Sequence, residues 1–159
     1  MIKKVISGFQ SGAEIAGIYS AVECGIPTGG MMTMGFLTED GPRPEYERLY
    51  GAVDSGVDNY SHRAQLNVRD SDFTLWFGKS DSYGYRLTTR SAARYHVPFI
   101  MVDTRSDLGS LASTIIFKGE LGIVNIAGNF ESSSPGVFNS VKQFLIDLFS
   151  RTKKIYTHH

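Results

Sequence analysis

Four short runs of almost unbroken apolar residues recur along the chain: IKKVIS at 2–7, FTLWF at 73–77, PFIMVD at 98–103 and GIVNI at 122–126. Each is rich in β-branched or aromatic residues and ends in turn formers. A strand buried on both faces reads as a continuous hydrophobic run rather than an alternating one, so these four predict a sheet covered on both sides. A fifth strand is expected at 28–33, weakened by Gly29 and Gly30. Between the runs the period changes from continuous to helical. Residues 12–23 put Ile15, Ile18, Tyr19 and Val22 on one face, and residues 136–151 do the same with Val137, Val141, Phe144, Leu145 and Leu148. Helices are also expected at 60–70, 85–95 and 106–115. Strands alternating with helices predict an α/β fold, a Rossmann-like three-layer domain with a mostly parallel sheet of about five or more strands.

The 159 residues are expected to form one domain, 1–159. Residues 33–59 break the pattern with two prolines and repeated glycines, and read as a long loop that packs as a lid or a subunit contact. Sixteen basic residues balance sixteen acidic ones, which predicts no nucleic-acid partner. No apolar run reaches the roughly 20 residues a bilayer requires, and the first residues do not read as a signal peptide, so a cytoplasmic protein is expected. Cys24 is the single cysteine, and His62, His96, His158 and His159 have no metal-ligand spacing, which predicts neither disulfide nor metal. His158 and His159 read as a tag remnant.

Four segments carry candidate chemistry. In 7–14, SGFQSGAE, the glycines Gly8 and Gly12 permit close backbone approach. Ser11 suits a helix cap, and the free amides of a helix start attract an anion. The segment matches neither a P-loop nor G-x-G-x-x-G, and a plain strand-to-helix turn is the alternative. In 65–72, QLNVRDSD, Arg69 with Asp70 and Asp72 forms either a charged corner or a ligand contact, with Asn67 and Arg69 bracing a loop as the structural option. In 79–96, Gly84, Thr88 and Thr89 can line the sheet edge. Arg86, Arg90 and Arg94 recur on one helical face, where either a solvated stripe or an anion contact at Arg86 explains them. The fourth, NIAGNFESSSPGVFNSV at 125–141, follows the last strand. Ser132, Ser133 and Ser134 can cap the next helix with Pro135 in its first turn, and Glu131 can reach a ribose hydroxyl or a base amino group. In a parallel sheet the loops after the first and last strands share the carboxyl rim, where open α/β folds bind ligands.

The segments KVISGFQSGAE, ECGIPTGG, GFLTEDGP, LNVRDSD and NIAGNFESSSPGVF, in this order, resemble the circularly permuted YpsA-like proteins. That family carries the label of molybdenum cofactor carriers and sits in the SLOG superfamily with the LOG and DprA domains. The resemblance implies a Rossmann-like sheet, a homo-oligomer (dimer or tetramer), and a pocket for a phosphorylated nucleotide-like or pterin ligand. Departures are visible. Where the family reads G-G-Q-T-G-A-D, this chain has Phe9, Ser11 and Glu14, so Phe9 either narrows the cradle or stacks on a base. A family G-G-T phosphate segment is replaced by KSDSYGYRLTT, with Thr88 or Thr89 as its counterpart.

The leading expectation is a non-catalytic container for a phosphorylated ligand: a cyclic nucleotide or ADP-ribose-type signal, or molybdenum cofactor. No other cofactor is required, and if the chain is encoded by a virus it works in the host cytoplasm. Its expected ligand residues are Ser7, Gly8, Phe9, Gln10, Ser11, Gly12, Arg69, Arg86, Thr88, Asn125, Gly128, Asn129, Glu131 and Ser134. The alternative is a LOG-type nucleotide N-glycosidase using Glu131, Glu39 or Asp40 as acid or base. A third option is an interaction protein that has lost its pocket.

Overall fold

The structure is a computed structural model describing residues 2–105, 108–117 and 122–157. In chain order its elements are β1 (Lys4–Ile6), α1 (Ala13–Glu23), β2 (Thr28–Met32), β3 (Leu37–Thr38), β4 (Gly41–Pro42), α2 (Glu45–Tyr50) and β5 (Ala52–Asp54). They continue with α3 (Tyr60–Arg69), β6 (Phe73–Phe77), α4 (Tyr83–Tyr95), β7 (Phe99–Met101), α5 (Leu108–Phe117), β8 (Ile123–Gly128) and α6 (Val137–Thr157). Six strands form one sheet in the order β5-β2-β1-β8-β6-β7, and every neighbouring pair is parallel. This is the expected Rossmann-like α/β architecture.

The two faces differ in chemistry. Helices α1, α5 and α6 cover one face, where Val5, Phe73, Leu75, Phe77, Val124 and Ile126 pack against Val141, Phe144, Leu145, Leu148 and Phe149 of α6. Each such buried side chain contributes about 1.5–3 kcal/mol. Helices α3 and α4 cover the other face, which carries polar strand residues as well. There Asn125 Nδ2 donates to Thr74 Oγ1 (3.4 Å), and Asn67 of α3 braces β2 by bonding both the amide (2.8 Å) and the carbonyl (3.1 Å) of Met31.

The 33–59 region, expected as a long packed loop, has secondary structure of its own. It contains the antiparallel β3–β4 hairpin, the six-residue α2 and the sixth strand β5, which pairs with β2 at the sheet edge. Elements this short complete too few periods to register in the sequence. The turn from α2 into β5 uses Gly51 at φ 73°, a left-handed cap that favours glycine. Beneath the region lies a second core of Phe9, Ile18, Met32 and Ala52, with Tyr19, Tyr46 and Tyr50 against it. The expected start of a helix at Ser106, and the histidines His158 and His159, lie outside the described residues.

Candidate functional site

Which loops can share a ligand follows from the faces the helices take. After β1 and after β8 the chain enters α1 and α6, which lie side by side on one face. After β6 it enters α4 on the opposite face, and after β7 it returns to α5 on the first. The loops from β1 and β8 therefore run together, while those from β8 and β7 part from the loop of β6. A parallel sheet opens its ligand crevice where adjacent loops diverge, so the crevice lies around the end of β6.

The β1 and β8 loops are in fact zipped to each other. The Asn129 carbonyl accepts the Ala13 amide (3.1 Å), Ser11 Oγ accepts the Glu131 amide (3.1 Å), and a Cβ on Gly12, at φ 56°, would fall 2.4 Å from the Asn129 oxygen. Glu39, at the turn between β3 and β4, closes the seam. Its carboxylate accepts from Ser11 Oγ (3.1 Å), the Ser132 amide (3.4 Å) and Ser132 Oγ (2.7 Å). Gln10 holds the same hairpin, donating to the Leu37 carbonyl (2.9 Å). Ser11, the cap expected to face an anion in SGFQSG, is thus bonded to a carboxylate of this chain.

Beneath that loop sits a buried ion pair. Arg63 of α3 meets Glu14 of α1 in a two-pronged contact at 3.3 and 3.4 Å, with both side chains almost fully buried. Gly8 is glycine because of it: an added Cβ would lie 1.6 Å from Arg63 Nη1. Glu14 also accepts the Gln10 amide (3.3 Å), and Ser7 Oγ donates to the Glu14 carbonyl (2.9 Å) while accepting the Phe9 amide (3.2 Å). Ser7 and Gly8 thus shape the turn from within. Arg63 also lies over the Tyr60 ring, 4.7 Å from its centroid. Burial, reinforced by the Glu14 carboxylate, pushes the Tyr60 phenol up to about 12, with Arg63 pulling the other way.

Several expected ligand residues take other roles. Phe9 adopts φ 61°, a conformation natural to the family's glycine, and its fully buried ring packs against Tyr46 (5.7 Å) and Tyr50 (6.4 Å). It therefore neither narrows the rim nor reaches a base there. Arg69 pairs with Asp70 (2.8 Å) at the exposed end of α3, at the amino rim of the sheet, where Asp72 accepts the Ile123 amide (2.7 Å). Asn125 is committed to Thr74 inside the α3/α4 face, and Thr88 is buried in α4, so neither reaches the rim. Glu131 caps α6 by accepting the Gly136 (2.6 Å) and Phe138 (2.9 Å) amides, which satisfies helix-start donors that a ligand would otherwise take. Arg86, Arg90 and Arg94 are exposed, and Arg86 Nη1 donates to the Asp81 carbonyl (2.7 Å).

What remains open surrounds β6. On the α5/α6 side is a cavity of about 440 Å³ between Phe77 and Gly78 at the end of β6, Asp103, Thr104 and Arg105 after β7, and Ser134 to Val137 with Ser140 at the start of α6. Arg105 donates from Nη2 to Asp103 Oδ2 (3.2 Å), and this contact holds the Asp103 carboxyl below its usual range. On the α3/α4 side a smaller cavity of about 240 Å³ opens among Tyr60, Trp76, Tyr83 and Phe130. Asn129 and Ser134 stand between the two: Asn129 lines the smaller, Ser134 lines the larger, and Asn129 Nδ2 donates to Ser134 Oγ (3.0 Å). Of the expected residues, Gly128 and Asn129 line the smaller cavity and Ser134 the larger. The sequence reading missed Arg63, Thr104, Arg105 and Trp76. The rim rule could have found DTR at 103–105, because it directly follows a strand; Arg63, flanked by His62 and Ala64, gave no signal.

Among the described residues no group of His, Cys, Asp or Glu could hold a metal ion, and no helix is long and apolar enough to cross a membrane. The model of the circularly permutated YpsA SLOG family matches residues 5–149. A crystal structure described as a "putative molybdenum carrier protein" from Syntrophus aciditrophicus SB is similar over 93% of this chain and 94% of its own, with 31% sequence identity and a TM-score of 0.81. No curated protein matches the chain.

Proposed function

The chain belongs to the circularly permutated YpsA SLOG family, and on that premise we propose that it binds, without turning over, a small phosphorylated ligand at the carboxyl rim around β6. The observation that carries this reading is the 440 Å³ cavity where the loops diverge. Its volume lies in the range of small-molecule sites, about 300–1,000 Å³. Arg105 supplies a cation there, held for now by an exposed aspartate that a phosphate can replace, and Thr104, Ser134 and Ser140 supply hydroxyls. Of the three carboxylates that a glycosidase could use, Glu131, Glu39 and Asp40, the first two are engaged by backbone amides and serine hydroxyls, which favours holding over cleavage at those two.

The structural neighbour's description as a molybdenum carrier, with the resemblance noted in the sequence, makes molybdenum cofactor the first cargo to test, with nucleotide signals second. The β3–β4 hairpin, part of the region expected as a lid, is tied by Glu39 and Gln10 to the β1 and β8 loops and lines neither cavity. Assembly into a homo-oligomer completes the proposal.

Mass spectrometry of small molecules released by heating the purified protein tests it directly. A phosphorylated compound recovered intact is the expected result, and Arg105→Ala should weaken its rebinding about tenfold or more, the scale of one hydrogen bond to a charged group. Multiple turnovers of nucleoside monophosphates or NAD-derived nucleotides, seen by chromatography, would replace this reading with the enzyme.

A further inference from the structure

The smaller cavity is built unlike the larger one. Tyr60 opens α3 directly after its Asn59 cap, and Tyr83 opens α4 directly after its Ser82 cap. The hydroxyl of Tyr83 is hydrogen-bonded to that of Ser61, which ties the two helix starts together. Phe130 leaves the end of β8 and meets Tyr60 edge to face, with centroids 5.7 Å apart and planes at 88°. Trp76 reaches the same space from β6, and Gly84 comes close enough to it that a Cβ there would lie 3.2 Å from the indole. Four aromatic side chains, from α3, β6, α4 and the loop after β8, thus converge on one opening at the rim.

We propose that this slot seats a planar heteroaromatic ring, the base or pterin of the ligand whose phosphorylated part occupies the larger cavity. Three observations carry it, given the reading that the rim binds a phosphorylated ligand. The slot's volume of about 240 Å³ falls below that of a site for a whole drug-sized ligand, so it suits a ring rather than the complete molecule. Tyr83 is 60% exposed at its mouth, and a large ring left in water beside an aromatic cavity gains by stacking. The remaining lining offers polar groups to the edge of a heterocycle: Asn129 and Ser133 flank the opening, and the indole N–H of Trp76, whose side chain also lines it, is buried with no acceptor among the described residues. Because Asn129 is hydrogen-bonded to Ser134 of the larger cavity, a ligand with its ring in the slot and its anion near Arg105 would straddle the ends of β6 and β8.

Trp76 is the single tryptophan of the chain and lines the slot, so its emission is a probe of that wall. The test titrates the full chain with guanosine 5′-monophosphate, with pterin, and with ribose 5-phosphate as the ringless control, following Trp76 emission and, in parallel, heat by calorimetry. A saturable emission change with at least one ring compound and none with ribose 5-phosphate is expected. Tyr83→Ala should weaken ring binding about tenfold, the scale of losing one stacking partner, and Gly84→Val should fill the slot and abolish it. Both variants should bind ribose 5-phosphate as the parent does. Circular dichroism and melting curves confirm that they fold, and Tyr83→Ala alone suffices if Gly84→Val does not. If the calorimeter records binding of all three probes with equal affinity, and Tyr83→Ala leaves it unchanged, the slot is empty of function while the anion cavity stands. If neither ring compound is bound, the slot proposal is overturned. If ribose 5-phosphate also fails and no compound is released from the purified protein, the broader reading falls with it.

Discussion

Arg63 and Glu14 are the residues on which the β1 loop rests, and a buried pair of this kind is vulnerable in a particular way. Removing one partner leaves an uncompensated charge, whereas removing both can be close to neutral. Arg63→Met alone, or Glu14→Leu alone, should lower unfolding free energy by about 3–5 kcal/mol in urea titrations, and the double variant should recover much of that loss. Additive losses would show that the two charges are not coupled. Tyr60, packed against Arg63, gives a pH signature. Its folded-state value of about 12 lies above the ordinary 10.0, so the native state keeps a proton that the unfolded chain gives up earlier. Its contribution is therefore whole below about pH 10 and is lost as pH rises toward 12, at no more than about 1.4 kcal/mol per pH unit. Denaturation midpoints measured from about pH 8 to pH 11 should fall more steeply in the parent than in Tyr60→Phe. The sequence displayed Glu14 and Tyr60 openly, yet it hid their meeting, because Arg63 is 49 positions from Glu14 and stands among polar neighbours.

At the scale of elements, α6 was legible from its heptad-like run of Val141, Phe144, Leu145 and Leu148, and its start was correctly read as capped. The identity of the cap was not. Glu131, five residues before Gly136, folds back onto the amides of the first turn, a task that the serines were expected to perform. Glu131→Ala should therefore cost about 1 kcal/mol of stability, the usual loss for a helix cap. A loss of ligand affinity with no change in melting temperature would return Glu131 to the ligand. Glu39 belongs to the same scale, because it fastens the β3–β4 hairpin to two loops at once. Glu39→Ala should speed hydrogen exchange of residues 37–42 with little effect on global unfolding, since these bonds lie at the surface rather than in the core. Unaltered exchange there would mean that the hairpin is held by Gln10 and Thr38 instead.

For the whole molecule, binding at the rim must appear as stability. A ligand at 100 times its dissociation constant should raise unfolding free energy by about 2.7 kcal/mol, and the cargo recovered by mass spectrometry should do so in a thermal melt of the stripped protein. No shift with the recovered compound would mark it as a passenger. The sequence by itself determined five of the six sheet strands and the helices packed on them, because fully buried strands such as Phe73–Phe77 and amphipathic helices such as α1 and α6 write their periodicity locally. It also placed the loops that follow β1 and β8 on one carboxyl rim. Only the tertiary structure decided where on that rim space remains. Whether two loops zip together or part depends on which face each following helix covers. That choice is made by strand order and by contacts between residues far apart in the chain, such as Ser11 with Glu131 and Glu39 with Ser132. The β1 and β8 loops, read as two walls of one pocket, lead to helices on the same face and close on each other, while the loop of β6 leaves for the opposite face and opens the crevice.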